Sequence, residues 1–365
     1  MPVSPDYASE LVQGIRDVYE DATTQIIAAI AEQVAQGIQN EGRADRRLES
    51  FLRLIQRIDL IIDELRRGVP GAVERAMTIA YRRGSAVATK DADDAGLPDA
   101  TAGAVASVGR TDAISRLLSE AMRPHEEAIL QIRRQAQDAY ERAVSDAVAR
   151  MLTGAGTRFE AARDAVLDLM RSGIVSFTDK SGRKWDLASY VEMATRTSAG
   201  NAMVSGHVDR LVDLDQDLVI VSNAPEECKI CREWESSVLS ISGNTRGRLS
   251  DGTTVKGSLA EARRAGLHHP NCRHSLSAFL PGVTEAPTRT ADPEGDKLRQ
   301  RQRAFERRIR EWKRRVAMDE STLGKDDPRT KADRKRLRTA QAEFKAWREA
   351  NGRKNLSRRT NITVR

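Results

Sequence analysis

From Leu11 to Met170 apolar residues recur at helical spacing. Leu11, Ile15, Val18, Ala22, Ile30, Val34 and Ile38 line one face of a long amphipathic helix. Leu48, Phe51, Ile55, Ile58, Ile62 and Leu65 alternate three and four apart, the seam spacing of a bundle or coiled coil. Arg46, Arg47, Arg53, Arg57, Arg66 and Arg67 flank that seam. Gly68 and Pro70 are expected to end this helix, because proline lacks the amide that a helix interior needs. A third helix is expected over Ala72 to Ala86, and the small, weakly patterned stretch from Lys90 to Arg110 reads as a connector. Helices resume at Thr111. Ile129, Ile132, Ala136, Tyr140, Ala143, Ala147 and Met151 mark one, and Phe159, Val166 and Met170 mark another. Gly154-Ala-Gly156 between them follows no strand and precedes no Gly-Lys-Ser/Thr, so it reads as an interhelix turn and not a phosphate loop. Pro124 is placed at a helix start, and His125, with no patterned partner, reads as a structural or surface histidine.

The period changes at Gly173. Ile174-Val-Ser-Phe-Thr, Asp179-Lys-Ser-Gly182 and Arg183-Lys-Trp-Asp predict a strand, a tight turn and a returning strand. Helical faces follow with Leu187, Tyr190, Val191 and Ala194, then Val204, His207, Val208 and Leu211. Strands are expected at Asp217 to Ser222, Ser237 to Gly243 and Ser275 to Leu280, with a hairpin or loop over Arg246 to Gly257. Asp213-x-Asp215-x-Asp217 lacks the glycine of a calcium loop and reads as a polar turn. Ser258-Leu-Ala-Glu261 matches a capping box for a short helix that Gly266 terminates. Past the Pro/Thr-rich linker Thr284 to Pro293, two seams appear: Leu298, Phe305, Ile309, Trp312 and Val316, then Leu337, Ala340, Phe344 and Trp347. Gly324 to Pro328 separates them, and Asn355 to Arg365, lacking a seam, is not expected to order by itself. The fold class is mainly α with a small α+β domain. Residues 1–172 form a helical docking region, 173–283 the mixed, zinc-knuckle-like domain and 284–365 a basic amphipathic helical tail.

Composition agrees with that division. Of 365 residues 39% are hydrophobic, only 4% aromatic and 31% charged, which favours solvated helices with narrow apolar seams over one large globule. No run approaches the ~18–20 apolar residues of a membrane-spanning helix, and the first ten residues lack the basic and apolar regions of a signal peptide. Net charge is +7, but Glu285 to Arg365 holds 25 Lys and Arg against 13 Asp and Glu, so the tail carries +12 and the rest −5. Such asymmetry points to an anionic partner for the tail, nucleic acid being the commonest. Its candidate phosphate contacts are Arg301, Arg303, Arg307, Arg308, Arg310, Lys313, Arg314, Arg315, Arg334, Lys335, Arg336 and Arg338. The plainer reading makes these cations the solvated face of helices that dock on the body or on another subunit.

Asn223 to Gly282 holds all three cysteines and three of the five histidines. Cys228-Lys-Ile-Cys231 is followed by His268-His269-Pro-Asn-Cys272-Arg-His274. A Cys pair two residues apart with a second cluster of soft donors can close one tetrahedral zinc site, and clustered thiols in odd number favour a metal over disulfides. The ligands would be Cys228, Cys231 and Cys272 with either His274 or His269. The alternative without metal is a set of buried thiols. Two catalytic readings compete. Pro225-Glu-Glu-Cys-Lys-Ile-Cys with His207-x-Asp209 echoes a zinc deaminase, yet Asp stands where Glu is needed and two residues separate Pro from Cys. His268-His269-Pro-Asn271 beside a Cys pair has the look of an HNH-type nuclease, but a strand and not a helix is expected after it.

Gly173-Ile-Val-Ser-Phe-Thr-Asp-Lys-Ser-Gly-Arg-Lys-Trp-Asp-Leu-Ala-Ser-Tyr-Val-Glu-Met-Ala-Thr-Arg-Thr197 resembles the signature of the tailed-phage minor capsid protein 2 group, related to the Mu F-like head morphogenesis proteins. So do Cys231-Arg-Glu-Trp234 with Val238-Leu-Ser-Ile-Ser-Gly243, and Gly266-Leu-His-His-Pro-Asn-Cys-Arg-His-Ser275 with Leu280-Pro-Gly282. These motifs stand in the right order across about residues 165–283. The resemblance implies a structural virion protein with no catalytic residues, assembled in the host cytoplasm and present in few copies inside the capsid or at its portal vertex. It would serve head assembly, DNA packaging or DNA delivery. Portal protein, major capsid protein, further copies of itself and packaged DNA are the partners implied.

Overall fold

The computed structural model describes residues 8, 10–39, 44–97, 111–153, 157–172, 176–178, 182, 184–224, 226–270, 272–287 and 291–362. In chain order the first elements are α1 (Gln13–Gln39), α2 (Ala44–Asp94), α3 (Thr111–Leu152), α4 (Arg158–Ser172), β1 (Ser176–Thr178), β2 (Lys184–Asp186) and α5 (Leu187–Asp213). Then come β3 (Leu218–Val221), the short α6 (Lys229–Arg232), β4 (Val238–Ser240), β5 (Gly247–Arg248) and β6 (Thr254–Ser258). The chain continues through α7 (Leu259–Arg264), β7 (Leu276–Ala278), α8 (Pro293–Leu323) and α9 (Pro328–Ala350). The protein is thus mainly helical with a small mixed sheet. Among the described residues no helix is long and apolar enough to cross a membrane. The turn expected at Gly154 to Gly156, the strand start at Gly173 to Val175 and the turn residues Asp179 to Ser181 lie outside the described residues.

The chain divides into two compact units, each discontinuous in sequence. One comprises Arg16–Val69, His125–Val191 and Leu298–Arg365, the other Met1–Ile15, Pro70–Pro124 and Glu192–Lys297.

The first unit is helical. Tyr19, Ile26 and Ile30 of α1, Leu54, Ile58 and Leu65 of α2, Ile132 of α3 and Leu167 of α4 are wholly buried. The seam of α1 runs through Tyr19, not Val18, which is 44% exposed, and that of α2 begins at Leu54, leaving Leu48 59% exposed. His125 is buried against Tyr19, with Tyr19 Oη 3.1 Å from His125 Nδ1. Strands β1 and β2 pair antiparallel, Phe177 opposite Trp185. Asp186 then accepts from Ser189 N and Oγ at the start of α5 and from Arg314 Nη1 of α8 at 2.6 Å. Helices α8 and α9 pack through Ile309, Ala340 and Phe344 with Phe305, Trp312, Leu337 and Trp347, as their spacing predicts. Residues 355–362 are ordered after all: Arg310 Nη1 donates to Arg359 O at 2.7 Å and Arg16 Nη2 to Asn361 O at 3.2 Å.

Gly68 and Pro70 do not end α2, and Pro124 lies inside α3 instead of starting it. A proline in a helix interior forfeits one hydrogen bond and costs about 3 kcal/mol. Val69, Val73, Ala76 and Met77 are all buried around Pro70, as Ala121 and Ala128 are around Pro124, and burial at about 25 cal/mol per Å2 offsets that loss. The expected connector from Lys90 also begins later, since α2 runs to Asp94 and residues 98–110 lie outside the described residues.

In the second unit α2 and α5 approach so closely that only glycine fits. A Cβ on Gly84 would stand 1.8 Å from Met203 O, and one on Gly206 would stand 2.1 Å from Tyr81 O. Polar pairs flank the crossing: Tyr81 Oη donates to Asp209 Oδ2 at 2.7 Å, and His207 Nε2 lies 3.3 Å from Asp91 Oδ2. The sheet has the order β5-β6-β4-β3-β7, antiparallel except for the β4–β6 pair. Val219 and Val221 on one face of β3 join Leu211, Leu239, Leu259, Leu267 and Leu276, while Ile220 on the other joins Val238, Val255 and Phe279. Both faces of β3 are covered, so it reads as a continuous apolar run.

Candidate metal centre

Strand β3 delivers the chain to the first Cys pair, and β7 lies beside β3 with Val221 opposite Leu276. Ser222 N donates to Ser275 O at 3.0 Å, and Ser275 N to Ser222 Oγ at 2.9 Å. Antiparallel pairing therefore carries two segments some forty residues apart to one end of the sheet. Cys228 caps α6, its Sγ accepting from Cys231 N at 3.5 Å, so the single turn sets both sulfurs on one side. Opposite it, α7 opens with the complete Ser258–Glu261 capping box and stops at Gly266, whose φ of +106° suits glycine. A Cβ there would also meet Ile230 Cγ2 at 2.7 Å, so this glycine lets the two halves close. His268 follows with φ +63°, and Cys272 N donates to His269 O at 2.8 Å.

All five residues expected from the spacing come together. Their donor atoms form two groups sharing Cys231: Cys228, Cys231 and His269, and Cys231, Cys272 and His274, each with all atoms within 4.8 Å. Cys231 Sγ lies 3.5 Å from Cys272 Sγ, Cys272 Sγ 3.5 Å from His274 Nδ1, and Cys228 Sγ 2.9 Å from His269 Nε2. Cys231 is wholly buried in the apolar cluster, with Cys228, Trp234 and Cys272 packed at its margin. Three sulfurs and two imidazoles are the donors that soft and borderline ions prefer, and a tetrahedral zinc with Zn–S of about 2.3 Å has an S–S edge of about 3.8 Å. The donor set fits such an ion.

One neighbour, Glu235, is not among the residues expected from the sequence. Glu235, 1% exposed, has Oε1 2.7 Å from His274 Nε2 and accepts from Ala224 N at 2.9 Å. A lone acid after Trp234 carries no periodic or motif signal, and only the fold shows that it points inward. His268 has both ring nitrogens shielded from solvent with no hydrogen-bond partner among the described residues, and burial lowers its pKa to about 4. A hydrogen bond from Cys231 holds the Cys272 thiol below the ordinary range despite burial, with His274 assisting. Burial opposes the charge on His274, yet Cys272 and Glu235 together raise its pKa.

The other candidates are placed elsewhere. His207 and Asp209 lie on α5, engaged with Asp91 and Tyr81. In the tail, Arg303 pairs with Glu306, Arg308 with Glu343, Arg314 with Asp186, Arg315 with Glu311, Arg334 with Glu320 and Arg336 with Asp333. Arg310 is held by Arg359 O, and burial lowers the pKa of Lys313. Among the described residues Arg301, Arg307, Lys335 and Arg338 are exposed without an ion pair.

The family described as phage minor capsid protein 2 matches residues 3–348. A "Structural protein" of Lactococcus phage LL-H is 25% identical over 181 residues, 48% of this chain and 49% of that protein. The chain thus matches about half the length of that relative. No solved structure matches.

Proposed function

Since the chain belongs to the phage minor capsid protein 2 family, we propose that it is a non-enzymatic structural component of the tailed-phage head, seated inside the capsid at or near the portal vertex. It aids head assembly and the packaging or delivery of DNA, and a structural zinc ion fastens its mixed unit. Its contacts are portal or major capsid protein, further copies of itself, and packaged DNA.

The observation that carries this reading is the closed character of the Cys/His cluster. A catalytic zinc keeps one position for water or substrate, whereas a structural one is fully ligated by protein. Here five donors stand in two overlapping groups of three that share Cys231, so protein donors flank either position on both sides, and Cys231 and His274 are buried. The acid and histidine that a deaminase would need, Asp209 and His207, are engaged in the helix crossing. An HNH core would want a helix after the histidines, and β7 stands there. When bound, zinc would supply folding energy by tying β3 and β7 together through their ends, in a unit with few aromatic residues. For the tail, Arg301, Arg307, Lys335 and Arg338 support contact with the phosphate backbone without sequence preference.

The test is mass spectrometry of purified virions with cross-linking, together with elemental analysis of the full chain. The expected result is a few copies per head, cross-links to portal protein and one zinc per chain. Nuclease or deaminase activity abolished by His269→Ala or Asp209→Ala would overturn the structural reading.

A further inference from the structure

We propose that Glu235 selects His274, and not His269, as the imidazole ligand of the metal, by fixing its ring with the Nδ1 lone pair turned toward the thiolates. The inference rests on the zinc reading and deepens it.

A neutral imidazole has one N–H and one bare nitrogen, and the partner of the outer nitrogen decides which is which. His274 Nε2 lies 2.7 Å from Glu235 Oε1, with the two side chains 2% and 1% exposed. A carboxylate only accepts, so Nε2 carries the proton and Nδ1 faces Cys272 Sγ at 3.5 Å with its lone pair. Glu235 is itself located by the backbone, because Ala224 N donates to the same oxygen at 2.9 Å. A carboxylate behind a histidine is the arrangement by which proteins orient metal-bound imidazoles and raise their basicity. It also answers why an acid sits in a dry place. A buried carboxylate is costly unless paired, and an imidazole bound to a cation is a partner worth that cost.

His269 also turns a bare nitrogen toward a sulfur, but at the wrong spacing. Its Nδ1 donates to Pro270 O at 2.7 Å, a contact with the next residue, which leaves Nε2 bare and 2.9 Å from Cys228 Sγ. With Zn–S of about 2.3 Å and Zn–N of about 2.0–2.1 Å, a tetrahedron has an S–N edge of about 3.6 Å. The Cys272–His274 separation meets that edge within a tenth or so of an ångström, while the Cys228–His269 separation falls well short of it. At that distance the bare His269 Nε2 accepts a hydrogen bond from the Cys228 thiol, a bond that metal binding by Cys228 would break. Cys231, Cys272 and His274 already stand as one compact group, and Cys228, grouped here with Cys231 and His269, would have to move toward them to supply the fourth ligand, leaving His269 outside the set.

The test uses the full chain labelled with 15N-histidine and loaded with zinc, its five histidines read by long-range proton–nitrogen correlation. The expected spectrum shows His274 protonated at Nε2 with a metal-shifted Nδ1, and a His269 Nε2 without a metal shift. In cobalt(II) titrations competed with zinc, Glu235→Gln weakens binding on the order of 10- to 100-fold, and His269→Ala keeps one ion per chain with the three-thiolate charge-transfer band. A metal-shifted His269 Nε2, loss of the ion in His269→Ala, or parent affinity in Glu235→Gln would overturn the assignment while leaving the zinc reading intact. Failure of the unsubstituted chain to take up zinc or cobalt would overturn both.

Discussion

Replacing Gly206 by alanine sets two effects of known size against each other. In a helix interior alanine is favoured over glycine by about 1 kcal/mol, so propensity alone predicts a more stable protein. The crossing with α2 opposes this, since the new Cβ would stand 2.1 Å from Tyr81 O and the carbonyl would have to retreat by about an ångström. Backbone cannot yield as a flexible side-chain tip does, and forcing extra atoms into a packed contact costs typically about 1–3 kcal/mol. Parting the helices also strains the Tyr81–Asp209 and His207–Asp91 contacts, each worth about 1 kcal/mol. The expected net change is a loss of up to about 4 kcal/mol. Gly200, on the same helix with nothing within 4 Å of its Cβ position, is the control. There alanine is expected to stabilise by about 0.5–1 kcal/mol. Urea unfolding followed by circular dichroism and tryptophan fluorescence measures both. Equal midpoints for Gly206→Ala and Gly200→Ala would refute the close crossing of these helices.

Three further outcomes are expected. Burial lowers the His125 pKa to about 4 from its ordinary 6.5, so between those values the unfolded chain binds a proton that the folded chain refuses. Stability is then full above about pH 6.5 and declines by about 3 kcal/mol on the way to about pH 4; His125→Gln, which keeps a partner for Tyr19, should flatten that acid limb, and parallel pH profiles would dismiss the argument. Asp217 accepts from Ser240 Oγ, Ser242 N and Thr245 Oγ1, so Asp217→Ala should cost about 1–3 kcal/mol in urea unfolding, and an unchanged midpoint would contradict it. Changing Arg301, Arg307, Lys335 and Arg338 together to alanine should flatten the salt dependence of DNA binding by about 0.9 in log–log slope for each phosphate that is no longer neutralised; a slope equal to that of the parent would remove the tail from DNA binding.

The local signals in the sequence were the ones most faithfully kept. The Ser258–Glu261 capping box closes α7, the seam through Phe305, Ile309, Phe344 and Trp347 packs α8 on α9, and the two Cys/His segments meet. Each depends on neighbours within a few residues, or on donor atoms numerous enough to declare a site. What could not be read depends on residues far away in the chain. Pro70 and Pro124 carry a strong local stop signal that burial of their neighbours overrides. The choice of Tyr19 over Val18 follows from His125, more than a hundred positions on. Likewise the acids that neutralise Arg314 and Arg329, Asp186 and Asp164, lie in other helices or strands and give no charge pattern along the tail. Glu235 is the sharpest case, because its role exists only through the β3–β7 pairing that brings His274 to it.

The discontinuity of the two units bears on synthesis. On a ribosome the chain emerges from its first residue, so α1 and most of α2 and α3 are outside long before their partners exist. The unit containing the Cys/His cluster lacks its last segment until Lys297 has been made, and the helical unit until α8 and α9 follow. Until Asp213 has been made, Tyr81, Ala88 and the α2 half of the glycine crossing face the cell without α5. The early helices must therefore remain soluble as unpaired amphipathic rods, a task for which their many flanking arginines and glutamates suit them. The Cys/His cluster comes together late by the same logic: Cys228 and Cys231 precede Cys272 and His274 by some forty residues, and the two halves meet when β7 docks beside β3.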